Sequence, residues 1–307
     1  MPPFEIRPVR RSDRDQLTDL VNAHLEAVLP GVSVSPNAVL TQLEREPDEY
    51  VVDPWVRSRC TLVALLRDRL VGAAHLRTFA DEERVSASLR GAGELRWLLF
   101  WPGQDPAEQA ELAAAADALA DAGLAALRRA GATRVYADGS LPAPAVYGIP
   151  DRWPHVAAAL ERAGFVPGER VELVLAADVA DLPRGGPAPV DGLELRTAVG
   201  GRGTRLSAVL DGAVVGVHEL QTDLTDGGML SRLAGWAEVW ELHVEPGHRG
   251  RGIGTWLVAQ AADRLRLGRV ERVLAYAAPA DGDEVEFLLA RGWRELARAR
   301  RGWVHRS

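Results

Sequence analysis

Apolar residues at Ile253, Leu257, Val258, Ala261 and Leu265 recur at helical spacing and predict an amphipathic helix near the C-terminal end of the chain. The stretch before it, EVWELHV (Glu238 to Val244), reads as a strand that stops at Glu245-Pro246. The same succession occurs earlier. ELRWLLFWP (Glu94 to Pro102) reads as a strand, and the alanine-rich Pro106 to Ala130 as a long helix whose proline suits a first turn. Each strand is preceded by a strand pair. LVALLRDRLVGAAHL (Leu62 to Leu76) turns near Arg67 to Arg69, and RLSAVLDGAVVGVHEL (Arg205 to Leu220) turns at Asp211-Gly212, a dipeptide suited to a type I′ turn. A strand over Phe4 to Val9, two helices between Ser12 and Arg45, a strand over Arg134 to Ala137 and a helix after Trp153 complete the first half.

These likenesses share one offset. Gly72 and Gly216, Glu94 and Glu238, and Pro102 and Pro246 are each 144 positions apart. Later, ALERAGF (Ala159 to Phe165) echoes LLARGW (Leu288 to Trp293) at an offset of 128. The pattern predicts two copies of one fold. A domain is expected over 1–177, a proline- and glycine-rich linker over 178–192 (DVADLPRGGPAPVDG) and a second domain over 193–307. The copies differ between their first and second strands. The first spends about fifty residues on helices, the second only GGRGT (Gly200 to Thr204). The first also carries an extra loop, LPAPAVYGIP (Leu141 to Pro150).

Composition narrows the function classes. With 307 residues, 47% of them hydrophobic and 26% charged, the chain is of the globular kind. A net charge of −7 argues against general nucleic-acid binding, which needs a basic footprint. No apolar stretch approaches a membrane span, and one cysteine permits no internal disulfide, so a cytoplasmic protein without a membrane partner is expected. Cys60, just before the apolar run TLVALL, is expected in the core.

The candidate chemistry lies in GHRGRGIG (Gly247 to Gly254), at the junction of strand and helix. A helix start offers unpaired backbone N–H groups and a positive dipole, and glycines let an oxyanion approach them. Arg249 and Arg251 add charged donors. The 144-residue offset puts GQDPAEQA (Gly103 to Ala110) opposite this loop, with Asp105 at the Arg249 position, Glu108 at Gly252 and Ala110 at Gly254. Carboxylates there repel a pyrophosphate, so one copy is expected to bind the anion and the other is not.

Arg249-Gly250-Arg251-Gly252-Ile253-Gly254 resembles the Q/R-x-x-G-x-G/A signature of the GNAT (GCN5-related) N-acetyltransferases, and ELHVEP before it and ARGW after it look like the same family. The layout resembles its tandem members, such as mycothiol synthase. The resemblance implies an α/β (α+β) fold of two tandem GNAT-like domains, each a mixed, mostly antiparallel sheet flanked by helices. It implies acetyl-CoA as co-substrate, with the backbone of Leu242, His243 and Val244 along the pantetheine arm. Arg249, Gly250, Arg251, Gly252, Ile253, Gly254 and Thr255 would hold the pyrophosphate, and the Val244 N–H, or a neighbour's, the oxyanion. Glu238, eleven positions before Arg249, stands where several members place a catalytic base. Simple alternation sets Glu241 and His243 on the face opposite Glu238. The usual acidic tyrosine is replaced by Leu288, and by Leu160 in the first copy, while Asp281 replaces a frequent asparagine; the proton would come from water or from another residue, with Tyr276 and Tyr147 as candidates.

The expected reaction is direct attack by the primary amine of a small molecule on acetyl-CoA in a ternary complex, with no metal. The missing helices leave the second copy's cleft open on one side. It would be closed by the first copy, through Trp97, Trp101 or the loop with Tyr147, or by a second chain in a homodimer. Trp236 and Trp240 would flank the other side. Two rival readings are a non-catalytic acetyl-CoA-binding sensor or scaffold, and an acetyltransferase of protein N-termini or lysines.

Overall fold

The computed structural model describes residues 4–44, 55–143, 146–222, 224 and 235–306. It divides into two compact units, Met1–Val171 with Arg298–Ser307, and Glu172–Ala297.

The first unit opens with β1 (Phe4–Pro8), α1 (Arg14–Val28) and α2 (Pro36–Glu44), followed by β2 (Val56–Leu66), β3 (Arg69–Phe79) and β4 (Gly93–Phe100). Then come α3 (Pro106–Arg129), β5 (Val135–Ala137), β6 (Ile149–Pro150), α4 (Pro154–Arg162) and β7 (Phe165–Val166). The β2–β3 hairpin turns on Arg67 and Asp68, both at positive φ (50° and 66°), the geometry of a type I′ turn without glycine. α3 starts sharply because Asp105 accepts from the N–H groups of Ala107 and Glu108 and Pro106 needs no partner. Its Leu119 lies against Gly72, and Leu76 lies against Gly123, so α3 covers one face of the sheet. On the other face Trp97 stacks on His75 (5.5 Å) and donates to Gln42 of α2.

The second unit contains β8 (Val171–Asp178), β9 (Glu194–Val199), β10 (Thr204–Leu210), β11 (Ala213–Gln221) and β12 (Trp236–Val244). These are followed by α5 (Ile253–Leu267), β13 (Arg272–Ala277), α6 (Gly282–Leu289) and β14 (Arg294–Arg300). A short β15 (Trp303–His305) closes the chain.

Each sheet is mixed and mostly antiparallel, as expected. The first has the order β1-β2-β3-β4-β5-β15-β7, and β4–β5 is its parallel pair. In the second unit the order runs β14-β8-β13-β12-β11-β10-β9, with β12–β13 parallel. The repeat is written into the irregularities. The β2–β3 pairing slips between Ala64 and Leu65 and the β10–β11 pairing between Ala208 and Val209. The β3–β4 pairing slips between His75 and Leu76 and the β11–β12 pairing between Glu219 and Leu220. Every one of these positions has its counterpart 144 residues on. Bulges re-aim side chains and increase local twist, so the copies share their bends as well as their strand order.

Two expectations are corrected. The units do not divide at a linker over 178–192. β8 pairs with β13 in the second sheet, and β15 enters the first between β5 and β7, so each sheet takes a strand from the other half of the sequence. A contiguous repeat cannot reveal such an exchange. Past Asp178 the proline- and glycine-rich stretch has no helix or strand, yet it lies along α5: Trp256 and Gln260 donate to the Gly186 carbonyl, and Arg266 to those of Val179 and Leu182. Cys60, expected in the core, is exposed on β2 near Arg129 in the last turn of α3.

Candidate active site

β12 and β13 pair only at Trp236–Arg272, Ala237–Val273 and Glu238–Leu274. Beyond Glu238 the two parallel strands part, and β12 runs on to Val244 held by β11 alone. Past the fork lies a cleft of about 1030 Å³. It is lined by the end of β12, the glycine loop, the first turn of α5, and the start of α6 with Phe287 and Arg291. Its size suits a long, flexible ligand better than a compact one.

Of the residues singled out from the sequence, Leu242, His243, Val244, Arg249, Gly250, Gly252, Ile253, Gly254 and Thr255 all line this cleft; Arg251 and Glu238 do not. Arg251 turns to His248, 3.2 Å away. Arg249 donates from Nε to the Val244 carbonyl (2.9 Å), tying the loop to the strand end. The Glu245 N–H bonds to Val215 on β11, so alternation points the His243 backbone groups toward β11 as well. Those of Leu242 and Val244 face the fork.

The loop is shaped for a ligand at the helix start. Gly250 and Gly252 adopt φ of 73° and 81°, strained for any other residue. Gly252 caps α5 without any side-chain hydrogen bond, leaving the first N–H groups open. A Cβ on Gly254 would come within 3.2 Å of the Phe287 ring, so glycine also lets α6 close on α5. The corresponding start of α3 is filled from within. Asp105 takes the N–H groups of Ala107 and Glu108, and Glu108 takes that of Gln104. The first turn of α5 thus presents uncapped N–H groups, whereas carboxylates take those at the start of α3.

At the crotch of the fork, Glu238 is partly buried. Desolvation raises its pKa above the ordinary carboxylate range. A hydrogen bond from Tyr276 and the nearby Arg202 act in the opposite direction, and Glu172 adds to the rise. The bulge corrects one expectation. Glu238 pairs with Gln221, Glu241 with Glu219 and His243 with Val217, and those three partners alternate along one face of β11. Trp240 is the extra residue of the bulge, so Glu238, Glu241 and His243 share a face. Among them Glu241 is bound to Arg205 at 2.9 Å, and His243 lies 3.8 Å from Glu245.

On that face the segment that supplies α1 and α2 in the first unit shrinks to Gly200–Gly203. Glu219, 2% exposed, pins it by accepting the Arg202 N–H and the Arg205 guanidinium. A Cβ on Gly200 would strike the Glu219 carboxylate. Trp240 is half exposed beneath Arg202 (4.5 Å), while Trp236 is buried. Trp97, considered as an acceptor wall, is 1% exposed and spent on the first unit's core.

Arg291 and Phe287 escaped the sequence reading. Arg291 stands inside ARGW, where the glycine and the aromatic residue carry the motif, and nothing in the spacing says that its side chain turns back to α5. Among the described residues no cluster of side chains suits a metal ion, and no helix is long and apolar enough to cross a membrane.

The acetyltransferase (GNAT) family model matches residues 180–293. No curated protein matches the chain. A GCN5-related glucosamine N-acetyltransferase region in a fungal multi-domain GH3 β-N-acetylglucosaminidase superposes with a TM-score of 0.59 and 16% identity. The match covers 99% of this chain and 38% of that one, so the chain spans well under half of that protein. A tandem GNAT protein from the clavulanic acid biosynthesis pathway gives 0.60 and 19% identity over 98% of both chains. A GCN5-related N-acetyltransferase from Sphaerobacter thermophilus gives 0.58 and 16% over 99% and 95%. At these identities the likeness is one of fold. It extends to the tandem layout and says nothing of mycothiol synthase in particular.

Proposed function

We propose that the second unit, where residues 180–293 match the acetyltransferase (GNAT) family model, transfers an acetyl group from acetyl-CoA to the primary amine of a small molecule. The observation that carries this reading is the fork after Glu238, which opens into a cleft ending at the uncapped first turn of α5. Acetyl-CoA supplies an activated thioester. The open N–H groups of α5 and Gly250–Thr255 bind its diphosphate, and the fork-facing groups of Leu242 and Val244 align its arm.

Glu238 takes the proton from the acceptor's ammonium, directly or through water. Its raised pKa makes it a better base than an ordinary carboxylate. The amine nitrogen then attacks the thioester carbonyl, the C–S bond breaks, and the departing sulfur takes up a proton. Leu288 is buried and cannot supply that proton. The partly buried Tyr276, on the strand beside Glu238, supports a tyrosine in that role. The first unit, with its self-capped α3, is read as a degenerate copy that binds no acetyl-CoA.

The test is calorimetric titration of acetyl-CoA into the full-length protein. One site per chain, lost in Gly252→Val and Gly254→Val, is expected. Two sites would refute the degenerate first copy, and no binding would refute the enzyme.

A further inference from the structure

We propose that Arg291 is a positioning residue that makes the Thr255 hydroxyl an obligate hydrogen-bond donor to the oxyanion held at the first turn of α5. The inference rests on the reading of the cleft as an acetyl-CoA site. Arg291 and Thr255 both line that cleft.

Nε and Nη2 of Arg291 both donate to Thr255 Oγ1, at 3.0 and 2.6 Å. A hydroxyl has two lone pairs and one proton, and a guanidinium has donors only. With both lone pairs directed at Arg291, the Thr255 proton has to point away from it. Helical threonines ordinarily donate to the carbonyl four residues earlier. Thr18 donates in this way to Arg14 (2.6 Å) and Thr41 to Asn37 (2.8 Å). Among the described residues Thr255 has no such acceptor for its proton, and it is the third residue of α5, beside the open N–H groups.

The guanidinium is itself fixed. Nη1 donates to the Phe287 carbonyl at 2.7 Å, and the carbon of the group lies 3.5 Å from the centre of the Phe287 ring. No carboxylate pairs with Arg291 among the described residues, so nothing competes with Thr255 for its Nε and Nη2 donors. Asp281, Asp283 and Glu284 stand across the cleft at the start of α6, which confines an anion to the α5 end. Gly254 lets Phe287 approach α5, and Phe287 in turn steadies Arg291, so one glycine serves both the loop and the hydroxyl.

The experiment titrates acetyl-CoA and acetyl-pantetheine, which lacks the diphosphate, into four full-length proteins: wild type, Thr255→Val, Arg291→Met and the double variant. Each single change is expected to weaken acetyl-CoA binding about tenfold, the worth of one charge-assisted hydrogen bond. The double variant should lose no more than either single one. Acetyl-pantetheine binding should be the same in all four, Arg291→Lys should recover part of the loss, and in turnover KM for acetyl-CoA should rise while kcat holds. Full additivity would overturn the proposal, since Arg291 would then act on the anion directly; so would unchanged affinity in Thr255→Val, a substitution that keeps the side chain's shape. Failure of the wild type to bind acetyl-CoA would instead remove the reading beneath it.

Discussion

Glu238 stands directly across the sheet from Gln221. Its repeat mate Glu94 stands across from Arg77, which donates to it at 2.8 and 2.7 Å, and Arg96 reaches the other carboxylate oxygen at 3.5 Å. The same strand position thus holds a neutralised carboxylate in the first unit and one facing a neutral amide in the second. Glu238→Gln is expected to lower kcat by about 10²- to 10³-fold with the KM for acetyl-CoA unchanged. Steady-state kinetics decide it, and a variant retaining most of its kcat would remove Glu238 from the chemistry.

Restoring the first unit's arrangement should undo this tuning. In Gln221→Arg a guanidinium opposite Glu238 would favour the charged carboxylate and lower its pKa. Activity requires the ionised base and is lost as pH falls through that pKa. The acid limb of kcat/KM should therefore move to lower pH in Gln221→Arg, while the plateau falls as the base weakens. An unmoved acid limb would mean that another group sets it.

The raised pKa has a consequence for stability too. The folded protein holds the Glu238 proton more tightly than the unfolded chain, so stability declines as pH rises from the unfolded value, about 4.3, through the raised folded one. Glu238→Gln should need more urea than wild type to unfold at pH 7 and no more at about pH 3.5. Equal midpoints at pH 7 would show that the carboxylate is solvated after all.

Much of this was legible in the chain. Gly72 and Gly216 announce the repeat because each sits where a helix leucine, Leu119 or Leu257, touches the sheet and a Cβ would intrude. The bend of the glycine loop was legible because positive φ at Gly250 and Gly252 and the close approach of Phe287 to Gly254 both need glycine. The face shared by Glu238, Glu241 and His243 was not legible. It depends on the extra residue at Trp240, and a period of two carries no mark of a bulge. Nor was the exchange of β8 and β15, because strand partners far apart in sequence leave no local pattern. Arg291 was hidden for a similar reason: its partner Thr255 lies 36 residues away on another helix.

The start of α3 offers a control. Asp105 accepts from two N–H groups at 2.9 Å, so Asp105→Ala should cost the first unit about 1 kcal/mol of stability. With Glu108 still beside the helix start, no second acetyl-CoA site should appear, and turnover should be unaffected. Denaturation and calorimetry on the same sample test both halves. A second site in Asp105→Ala would show that the cap alone keeps the first copy from binding.

Three histidines are buried away from the fork, and they should govern acid stability. Burial pushes His24 and His218 down to about 4, and His75 well below its ordinary range. Each is neutral in the folded protein but takes a proton in the unfolded chain below about 6.5, so the unfolded state binds more protons as pH falls. The stability they contribute is complete above about 6.5 and is lost as pH drops toward 4. Between pH 7.5 and 5, His218 should cost the second unit about 2 kcal/mol and His24 should cost the first about the same, with His75 adding to the first unit's loss. Urea unfolding at the two pH values measures the loss, with each unit's transition followed separately. Proton NMR gives the independent check: the ring resonances of these three should stay nearly fixed between pH 7.5 and 5. A titration midpoint near 6.5 for His218 would mean that water reaches its ring, and the acid lability would then need another source.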